Sequence, residues 1–368
     1  MKVLTLSVSQ RELAYAAWTG AEALPAWSGA IDLESAAQSA SEAIDCALSV
    51  VRSAWELSFP ASPPRGLGLR VVFGGEHLST PTLASARTLS DLEALVARAP
   101  LHLPPTIAAA RAIPTHFGDT PVFLAVETAF FRELPARERS YGLDPELNEA
   151  GDLSRFGYHG LFHQAACAEL SRNLRVSAGI GRPRILSLCL EPRPELAGVY
   201  AGRPLTVTSG ATPLEGLPGD TSAGESDPAI VLALSERARL GPERINRLLT
   251  RESGLCGLVD HPTTLEQVMR DKDPASQFAR EVLAHRLLLA AGAAVAALGG
   301  LDGIVLSGRY ADAAAQLGIF LVRRLGALAG IKHPVAHLLF TTSLGRLVAD
   351  QALAGSNWKS DASEVPAA

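Results

Sequence analysis

A nine-residue stretch near the middle of the chain, 155–163, combines one arginine, two histidines and two glycines. Gly157 and Gly160 permit a tight turn that presents the imidazole of His159. His163 follows at the start of an apolar run that predicts a helix. A histidine beside a helix N-terminus suits an anionic ligand, because both donate hydrogen bonds. Taken alone, the stretch slightly favours a simpler alternative, a polar turn whose histidines only satisfy the backbone.

The composition is that of a globular protein with real cores. The chain has 368 residues, of which 47% are hydrophobic and 19% charged, and this length favours two domains. A net charge of −5 without runs of lysine or arginine argues against a nucleic-acid partner. The cysteines lack the spacing of metal ligands, so we expect buried free thiols in a reducing compartment at Cys46, Cys167, Cys189 and Cys256.

The most hydrophobic run of the chain, 287–301, is rich in alanine and glycine. It is short for a membrane span and therefore predicts a buried core helix. The N-terminal residues lack the pattern of a signal peptide. We therefore expect a soluble, cytoplasmic protein without a membrane partner.

Apolar runs alternate between strand and helix patterns along the chain. This alternation indicates α/β layers with active residues at strand ends. The polar segment 131–151 predicts a crossing between domains, and the Gly-, Pro- and Ser-rich segment 210–227 predicts a long functional loop. The predicted strands are 2–7, 69–73, 122–126, a hairpin of 185–190 with 199–200, and 303–306, and the predicted helices are 35–57, 89–97 (capped by Ser90), 106–113, 228–238, 242–251 and 276–298.

Eight short blocks occur in the order found in acetate and propionate kinases, and the chain resembles that family over nearly its whole length. The blocks are RVVFGGE (70–76), APLHLPP (99–105), VETAF (126–130), RFGYHGLFH (155–163), TPLEGL (212–217), SDPAI (226–230), SGLCGL (253–258) and ALGGLDGIVLSG (297–308). The resemblance implies the α/β fold of acetate and sugar kinases, heat-shock chaperones and actin, which is ribonuclease H-like. That fold has two domains and an interdomain cleft.

The same resemblance implies the domain bounds and the chemistry. An N-terminal domain would comprise 1–131 plus the C-terminal helix in 345–368, and 132–344 would form the second domain. The family uses ATP and Mg²⁺ to phosphorylate a short-chain carboxylate, which gives an acyl phosphate, and it usually works as a homodimer.

In the family, the positions of Arg70, His102 and His159 contact the acyl and phosphoryl groups. Cations around these groups suit phosphoryl transfer, and an arginine can pair bidentately with a carboxylate. We favour ligand contact at all three positions. The structural alternatives are an ion pair of Arg70 with Glu76 or Glu127, and a loop hydrogen bond for His102. Within the central stretch, Arg155 and His163 are interpreted as supports for the turn.

The resemblance also implies a small apolar pocket for the alkyl end of the acid, lined by Val72, Leu101, Tyr158 and Pro213. Tyr158 stands where the family usually has phenylalanine, so its added hydroxyl could favour a more polar acid. Glu127 stands where the family has an aspartate that positions Mg²⁺ or the active-site arginine. Its side chain is one methylene longer, and Mg²⁺ demands near-ideal geometry. Alternatively, Glu127 simply pairs with Arg70.

The positions that serve the nucleotide in the family hold different residues here. The phosphate turn after the first strand begins at Ser7 and lacks its glycine. The second phosphate loop contains Glu191, whose charge repels phosphate, and Pro192, which has no N–H to donate. The second catalytic arginine, the adenosine loop and the C-terminal Mg²⁺-binding glutamate are replaced by Ser222, Arg309 and Leu344.

These losses fall on ATP, Mg²⁺ and the second arginine, whereas the carboxylate side is kept. The pattern predicts a pseudokinase that binds a short-chain carboxylate, acyl phosphate, inorganic phosphate or a partner protein, with weak or no phosphotransfer from ATP. One alternative is a divergent carboxylate kinase that holds the nucleotide through Arg11, Arg193 or Arg309. Another is an acyl-phosphate hydrolase in which Arg70 and His159 polarise the phosphoryl group for attack by water.

Overall fold

A computed structural model describes residues 2–34, 39–146, 153–212, 214–328, 331 and 334–362, with side chains only up to residue 356 in the last helix. The chain forms two compact units. The first comprises Met1–Ala129 with Thr342–Ala368, and the second comprises Phe130–Thr341. Each unit is built on one mixed sheet with helices packed against it.

The strands of the first sheet are β1 (Lys2–Val8), β2 (Glu12–Thr19), β3 (Trp27–Asp32), β4 (Gly66–Val71), β5 (Thr82–Leu83) and β6 (Val122–Val126), and those of the second are β7 (Arg184–Cys189), β8 (Glu195–Tyr200), β9 (Arg203–Val207), β10 (Gly303–Ser307) and β11 (Ala336–Leu339). The helices are α1 (Ala40–Ser58), α2 (Ala86–Ala94), α3 (Leu103–Phe117), α4 (Ala136–Arg139), α5 (Gly160–Ala178), α6 (Pro228–Glu236), α7 (Pro242–Arg251), α8 (Gly254–Val259), α9 (Leu265–Arg270), α10 (Pro274–Leu298), α11 (Ala315–Gly326) and α12 (Leu344–Ala362), with a 3-10 helix over Glu127–Glu133.

Five strands of the first sheet share the topology of the second, and β5 is an additional antiparallel edge strand. The two strand orders are β3-β2-β1-β4-β6-β5 and β11-β10-β7-β8-β9. In each, three antiparallel strands in sequence are followed by two strands parallel to the first of them. The order β3-β2-β1-β4-β6 in the first unit therefore corresponds to β9-β8-β7-β10-β11 in the second.

Helix starts follow local capping chemistry more closely than apolar periodicity. Ser85 caps α2 through a capping box with Thr88, so that helix begins before the predicted start at 89, and Ser90 is not the cap. Asp273 caps α10, whose first residue is Pro274. Ser39 caps α1, and the predicted start of that helix at 35 lies outside the described residues.

Close contacts fix the helices on each sheet. In the first unit, a Cβ added to Gly68 on β4 would lie 2.8 Å from the Cγ1 of Val348 on α12, so only glycine permits this approach. In the second unit, α10 approaches β8 at Gly198, where an added Cβ would lie 3.4 Å from the Cβ of Ala294. Helix α10 is long and apolar enough to cross a membrane. Its buried face, which includes Leu283 and Leu287, belongs to the core of the second unit, as predicted for a core helix.

The four cysteines are free thiols, but they are not all buried as expected. Cys167 and Cys189 are buried, Cys256 is partly buried, and Cys46 is exposed because it lies on the outer face of α1. Burial raises the pKa of Cys167 to about 12, which keeps its thiol protonated.

Candidate functional site

In the first unit, Arg70 and Glu127 form an ion pair at the end of two parallel strands. Arg70 lies on β4 and Glu127 directly follows β6, its neighbour in the sheet. The Nε of Arg70 donates to Oε1 of Glu127 at 2.8 Å. Glu127 is fully buried, whereas the Arg70 side chain remains 23% exposed. The structure thus contains the structural alternative for Arg70, its ion pair with Glu127, and leaves the Arg70 side chain partly exposed.

Val72 directly follows the last residue of β4, Val71, where the chain bends away from the strand. Arg70 and Val72 are both partly exposed, whereas their neighbours Leu69, Val71 and Phe73 are buried.

His102 and Leu101 lie at the start of α3 in the same unit. His102 is the N-cap residue, and its carbonyl accepts a hydrogen bond from Thr106 Oγ1 at 2.9 Å. The adjacent Leu101 side chain is 47% exposed.

In the second unit, the central turn is built around a buried carboxylate, Glu195, the first residue of β8. The backbone N–H groups of Tyr158 and His159 donate to it at 2.9 and 3.1 Å. His163 Nε2 lies 3.2 Å from its Oε1, and His163 Nδ1 lies 2.8 Å from Ser187 Oγ. The sequence predicts an anion at this histidine turn. At the backbone N–H groups of the turn, that anion is the carboxylate of Glu195.

Glu195 is charged despite its burial. Burial alone raises the pKa of its carboxyl, but the hydrogen bond with His163, the charges of His159 and His163 and a hydrogen bond with Ser209 together lower that pKa to about 2. A negative charge is therefore fixed behind the turn at neutral pH.

The side chains of the turn have defined roles. His159 Nε2 lies 3.1 Å from the carbonyl oxygen of Arg193, so Nε2 carries hydrogen and donates, which leaves Nδ1 as the nitrogen not used by this bond. The hydroxyl of Tyr158 donates to the carbonyl of Ala211 at 2.8 Å. The hydroxyl hydrogen is therefore directed to the main chain and not toward a polar acid. Arg155 supports the same loop through Glu215 and the carbonyl of Ser209.

The loops that follow β7 and β10 are joined by an ion pair between Glu191 and Arg309. Arg309 donates to this carboxylate twice, through its backbone N–H and its Nε, both at 2.9 Å. Glu191 is buried to 9% exposure. The residues that precede this pair, Gly308 and Leu190, are also close: a Cβ added to Gly308 would lie 2.7 Å from the carbonyl oxygen of Leu190. The two loops are therefore in backbone contact.

A second polar contact, between Asp220 and Tyr310, involves the loop that follows β10. Asp220 accepts hydrogen bonds from the hydroxyl of Tyr310 at 2.8 Å and from the backbone of Leu265 at 2.9 Å. Burial raises the pKa of Asp220 above its ordinary value. Ser222, two residues later, is buried to 2% exposure. Sequence reasoning missed Glu195, Asp220 and Tyr310, although an acidic residue at the head of the apolar strand β8 is a detectable signal.

The described residues do not fit a resident Mg²⁺ ion. Glu127 Oε2 is buried without a hydrogen-bond partner in the described part of the chain, and its other oxygen is held by a guanidinium. Mg²⁺ retains several water ligands, which a fully buried oxygen does not accommodate. Leu344 offers no ligand atom, and no cluster of three or more His, Cys, Asp and Glu side chains suitable for a metal occurs among the described residues. Pro213, expected in the alkyl pocket, lies outside the described residues.

Comparison with known proteins confirms the family that the sequence resembles. The acetokinase family model matches residues 31–347, so the chain belongs to the acetokinase family. The acetate kinase of Clavibacter michiganensis subsp. michiganensis is 36% identical over 256 residues, which cover 68% of this chain and 63% of that relative. That of Leifsonia xyli subsp. xyli is 32% identical over 271 residues, which cover 72% and 67%. The chain thus spans a little under two thirds of the first of these relatives.

Solved structures confirm the fold. A Porphyromonas gingivalis acetate kinase superposes with a TM-score of 0.83 at 21% identity, covering 96% of this chain and 99% of that one. A propionate kinase from Francisella tularensis gives the same TM-score at 20% identity, with the same coverage. The expected α/β fold of acetate and sugar kinases, heat-shock chaperones and actin is therefore correct.

Proposed function

We propose that this acetokinase-family chain binds a short-chain carboxylate or its acyl phosphate and has weak or no ATP-dependent phosphotransfer activity. The observation that carries the proposal is the ion pair of Glu191 with Arg309. The resemblance assigns both positions to loops that hold the nucleotide. A phosphate needs backbone N–H donors there, and here the N–H of Arg309 donates to an internal carboxylate.

Two further replacements support the same conclusion. Pro192, beside Glu191, has no N–H. Ser222 is buried where the resemblance implies a catalytic arginine. Loss of one such cation commonly lowers the rate of phosphoryl transfer about 10³-fold or more.

Family members generally use ATP and Mg²⁺, and the poor fit of the described residues to Mg²⁺ therefore also supports weak activity. Glu127 instead holds Arg70 in place. We propose that Glu127 is a positioning residue for the guanidinium and not a metal ligand.

The carboxylate side supports retained binding. The Arg70 side chain is partly exposed although it is paired with Glu127, and a guanidinium suits a carboxylate ligand. We propose Arg70, His102 and His159 as the residues that contact the charged end of the ligand. Val72, Leu101, Tyr158 and Pro213 remain the proposed contacts for the alkyl end.

The divergent-kinase alternative receives less support. It needs cations that replace the lost nucleotide contacts. Arg309 is already paired with Glu191, and Arg11 is paired with Glu34 at 3.0 Å. Only Arg193 of the three candidates lacks an acidic partner among the described side chains, and one cation does not replace two phosphate loops.

A hydroxamate assay with ATP, Mg²⁺ and acetate or propionate tests the proposal. We expect little or no turnover. Clear turnover by the wild type that disappears in Arg70→Ala overturns the proposal. Arg65→Ala, which replaces an exposed arginine just before β4, is the matched control.

Thermal denaturation provides the binding measurement. Acetate or acetyl phosphate is expected to raise the melting temperature, and ATP with Mg²⁺ is not. Stabilisation by ATP without stabilisation by the small ligands would favour the divergent kinase. Release of phosphate from acetyl phosphate that is lost in His159→Ala would favour the hydrolase.

We also propose that the two compact units are the two functional domains, and that the protein is a cytoplasmic homodimer without nucleic-acid or membrane partners. Light scattering of the purified chain measures the oligomeric state directly.

A further inference from the structure

The loop that follows β9 in the second unit takes its shape from residues outside the sheet. Strand β9 ends at Val207, and the N–H of Thr208 still donates to a carbonyl of β8 at 3.0 Å. Residues 209–211 then leave the sheet, and the carbonyl of Gly210 accepts the N–H of Phe156 at 3.2 Å. Because such a segment has no ladder partners, the groups that bond its backbone determine its conformation.

Two tyrosine hydroxyls bind the two main-chain polar groups of one residue in this loop, Ala211. The N–H of Ala211 donates to Tyr141 Oη at 2.8 Å. Its carbonyl oxygen accepts the hydrogen bond of Tyr158 Oη, also at 2.8 Å. The place of the Tyr158 hydroxyl therefore depends on where Tyr141 holds Ala211.

Tyr141 is itself fixed by charged neighbours. Its hydroxyl donates to Glu215 Oε2 at 2.6 Å, and the guanidinium of Arg155 lies 5.4 Å from the centre of its ring while also pairing with Glu215. Burial, followed by the hydrogen bond to Glu215, raises the pKa of Tyr141 to about 12, so the hydroxyl is protonated at neutral pH. A Cβ added to Gly210 would lie 2.5 Å from Tyr141 Oη, so the hydroxyl is in contact with the loop backbone.

We propose that Tyr141 is a positioning residue that fixes the ring of Tyr158 through Ala211 and so limits the length of the acid that the protein accepts. This role rests on the proposed function, which assigns Tyr158 to the alkyl end of the ligand. A longer alkyl chain would have to displace a ring that hydrogen bonds hold in place, and a short chain would not. Without the Tyr141 hydroxyl, Ala211 and the ring can shift, and a longer chain is accommodated.

Calorimetry with acetate and with butyrate, on the full chain and its Tyr141→Phe variant, tests this role. The variant keeps the ring beside Arg155 and loses only the hydroxyl. The preference for acetate over butyrate should fall about fivefold, the factor that corresponds to one hydrogen bond. Tyr200→Phe is the matched control, because the ring of Tyr200 lies 5.1 Å from the guanidinium of Arg182 in the same unit, and it should keep the wild-type preference. A merely structural tyrosine would lower the melting temperature of Tyr141→Phe and leave the preference unchanged, and that result overturns the proposal.

A double-mutant cycle of Tyr141→Phe and Tyr158→Phe, measured by urea unfolding, needs no ligand. Since both hydroxyls act on Ala211, the double variant should be less destabilised than the sum of the two single variants. Additive effects overturn the positioning of Tyr158 by Tyr141, whichever acids bind. Failure of the proposed function gives a different result: neither acid binds while the two hydroxyls remain coupled, which supports the positioning and overturns the limit on acid length.

Discussion

The carboxylate of Glu195 holds the backbone of His159, with its Oε1 accepting the N–H of His159 at 3.1 Å. Because an internal anion fills this position, the turn has its shape before any ligand arrives. A ligand that binds the imidazole of His159 would not have to order the turn, so the turn would lose little conformational entropy on binding.

Glu195 should make the second unit sensitive to acid. Folding lowers the pKa of its carboxyl from 4.5 to about 2. Its stabilising effect is therefore complete at pH values above the pKa of the unfolded state, and it is lost as the pH falls through the pKa of the folded state. The contribution is about 3 kcal/mol, lost between about pH 4.5 and pH 2. Urea unfolding against pH, for the wild type and Glu195→Gln, measures it.

In that experiment, Glu195→Gln should be less stable near neutral pH, and its stability should fall less steeply in acid. The matched control is Glu266→Gln, which replaces an exposed carboxylate of the same unit. Equal slopes for the wild type and Glu195→Gln would contradict the assignment of a buried charge to Glu195.

Arg70 should contribute to both binding and stability. Arg70→Ala removes the cation that we propose contacts the ligand, and it leaves the buried carboxylate of Glu127 unpaired, which costs about 3–5 kcal/mol. The double variant Arg70→Met with Glu127→Leu removes both charges and should recover most of that stability. It should not recover acetate binding, which calorimetry measures. Acetate affinity in the double variant equal to that of the wild type would exclude Arg70 from the ligand site.

Glu191 and Arg309 should be energetically coupled. Arg309 is largely exposed, so screening by solvent should limit the coupling energy of the pair to about 1 kcal/mol. A double-mutant cycle with Glu191→Gln and Arg309→Gln measures this energy. Neither variant should gain ATP binding, because Pro192 and Ser222 remain. Equilibrium binding of a fluorescent ATP analogue measures this, and micromolar affinity in either variant would show that the ion pair alone blocks the nucleotide.

Tyr158→Phe should have a small effect. It removes the hydrogen bond to the carbonyl of Ala211, which costs about 1 kcal/mol. Because the hydroxyl donates to the main chain, the ratio of acetate to lactate affinity should be unchanged. A shift of that ratio by tenfold would instead indicate that the hydroxyl contacts the acid.

Much of the fold could be predicted from the sequence. Strands β6 and β10 are short, apolar and central, and α10 is strongly apolar, so their patterns are unambiguous. Strand β4 is also apolar, but it spans Gly66–Val71 and not the predicted 69–73, because Gly66 and Gly68 mask its beginning and the chain bends at Val72. The strands β2 and β3 were not predicted. β3 alternates between partly exposed and exposed positions, so its pairing with β2, and not apolar content, makes it a strand. β2, which pairs with β1, buries Leu13 and Trp18 and carries an apolar signal that the prediction missed.

The site was predictable only where a residue type itself implies chemistry. Arg70, His159 and Glu127 could be selected in this way. The sequence predicts the hairpin of β7 with β8, but not that the histidine turn packs against it and brings residues 158, 159 and 163 to Glu195. Similarly, Glu191 was interpreted as a repulsive charge, whereas the contact between parallel strands β7 and β10 gives it Arg309 as a partner. Pairings across a sheet require the topology, which the order of residues alone does not provide.

The link between Glu191 and Arg309 also bears on redesign of the loops after β7 and β10. A single replacement at Glu191 or Arg309 removes one member of the ion pair and leaves Pro192, which has no N–H, in place. If the proposed function is correct, an engineered phosphate cradle at these loops would therefore need all three positions to change together.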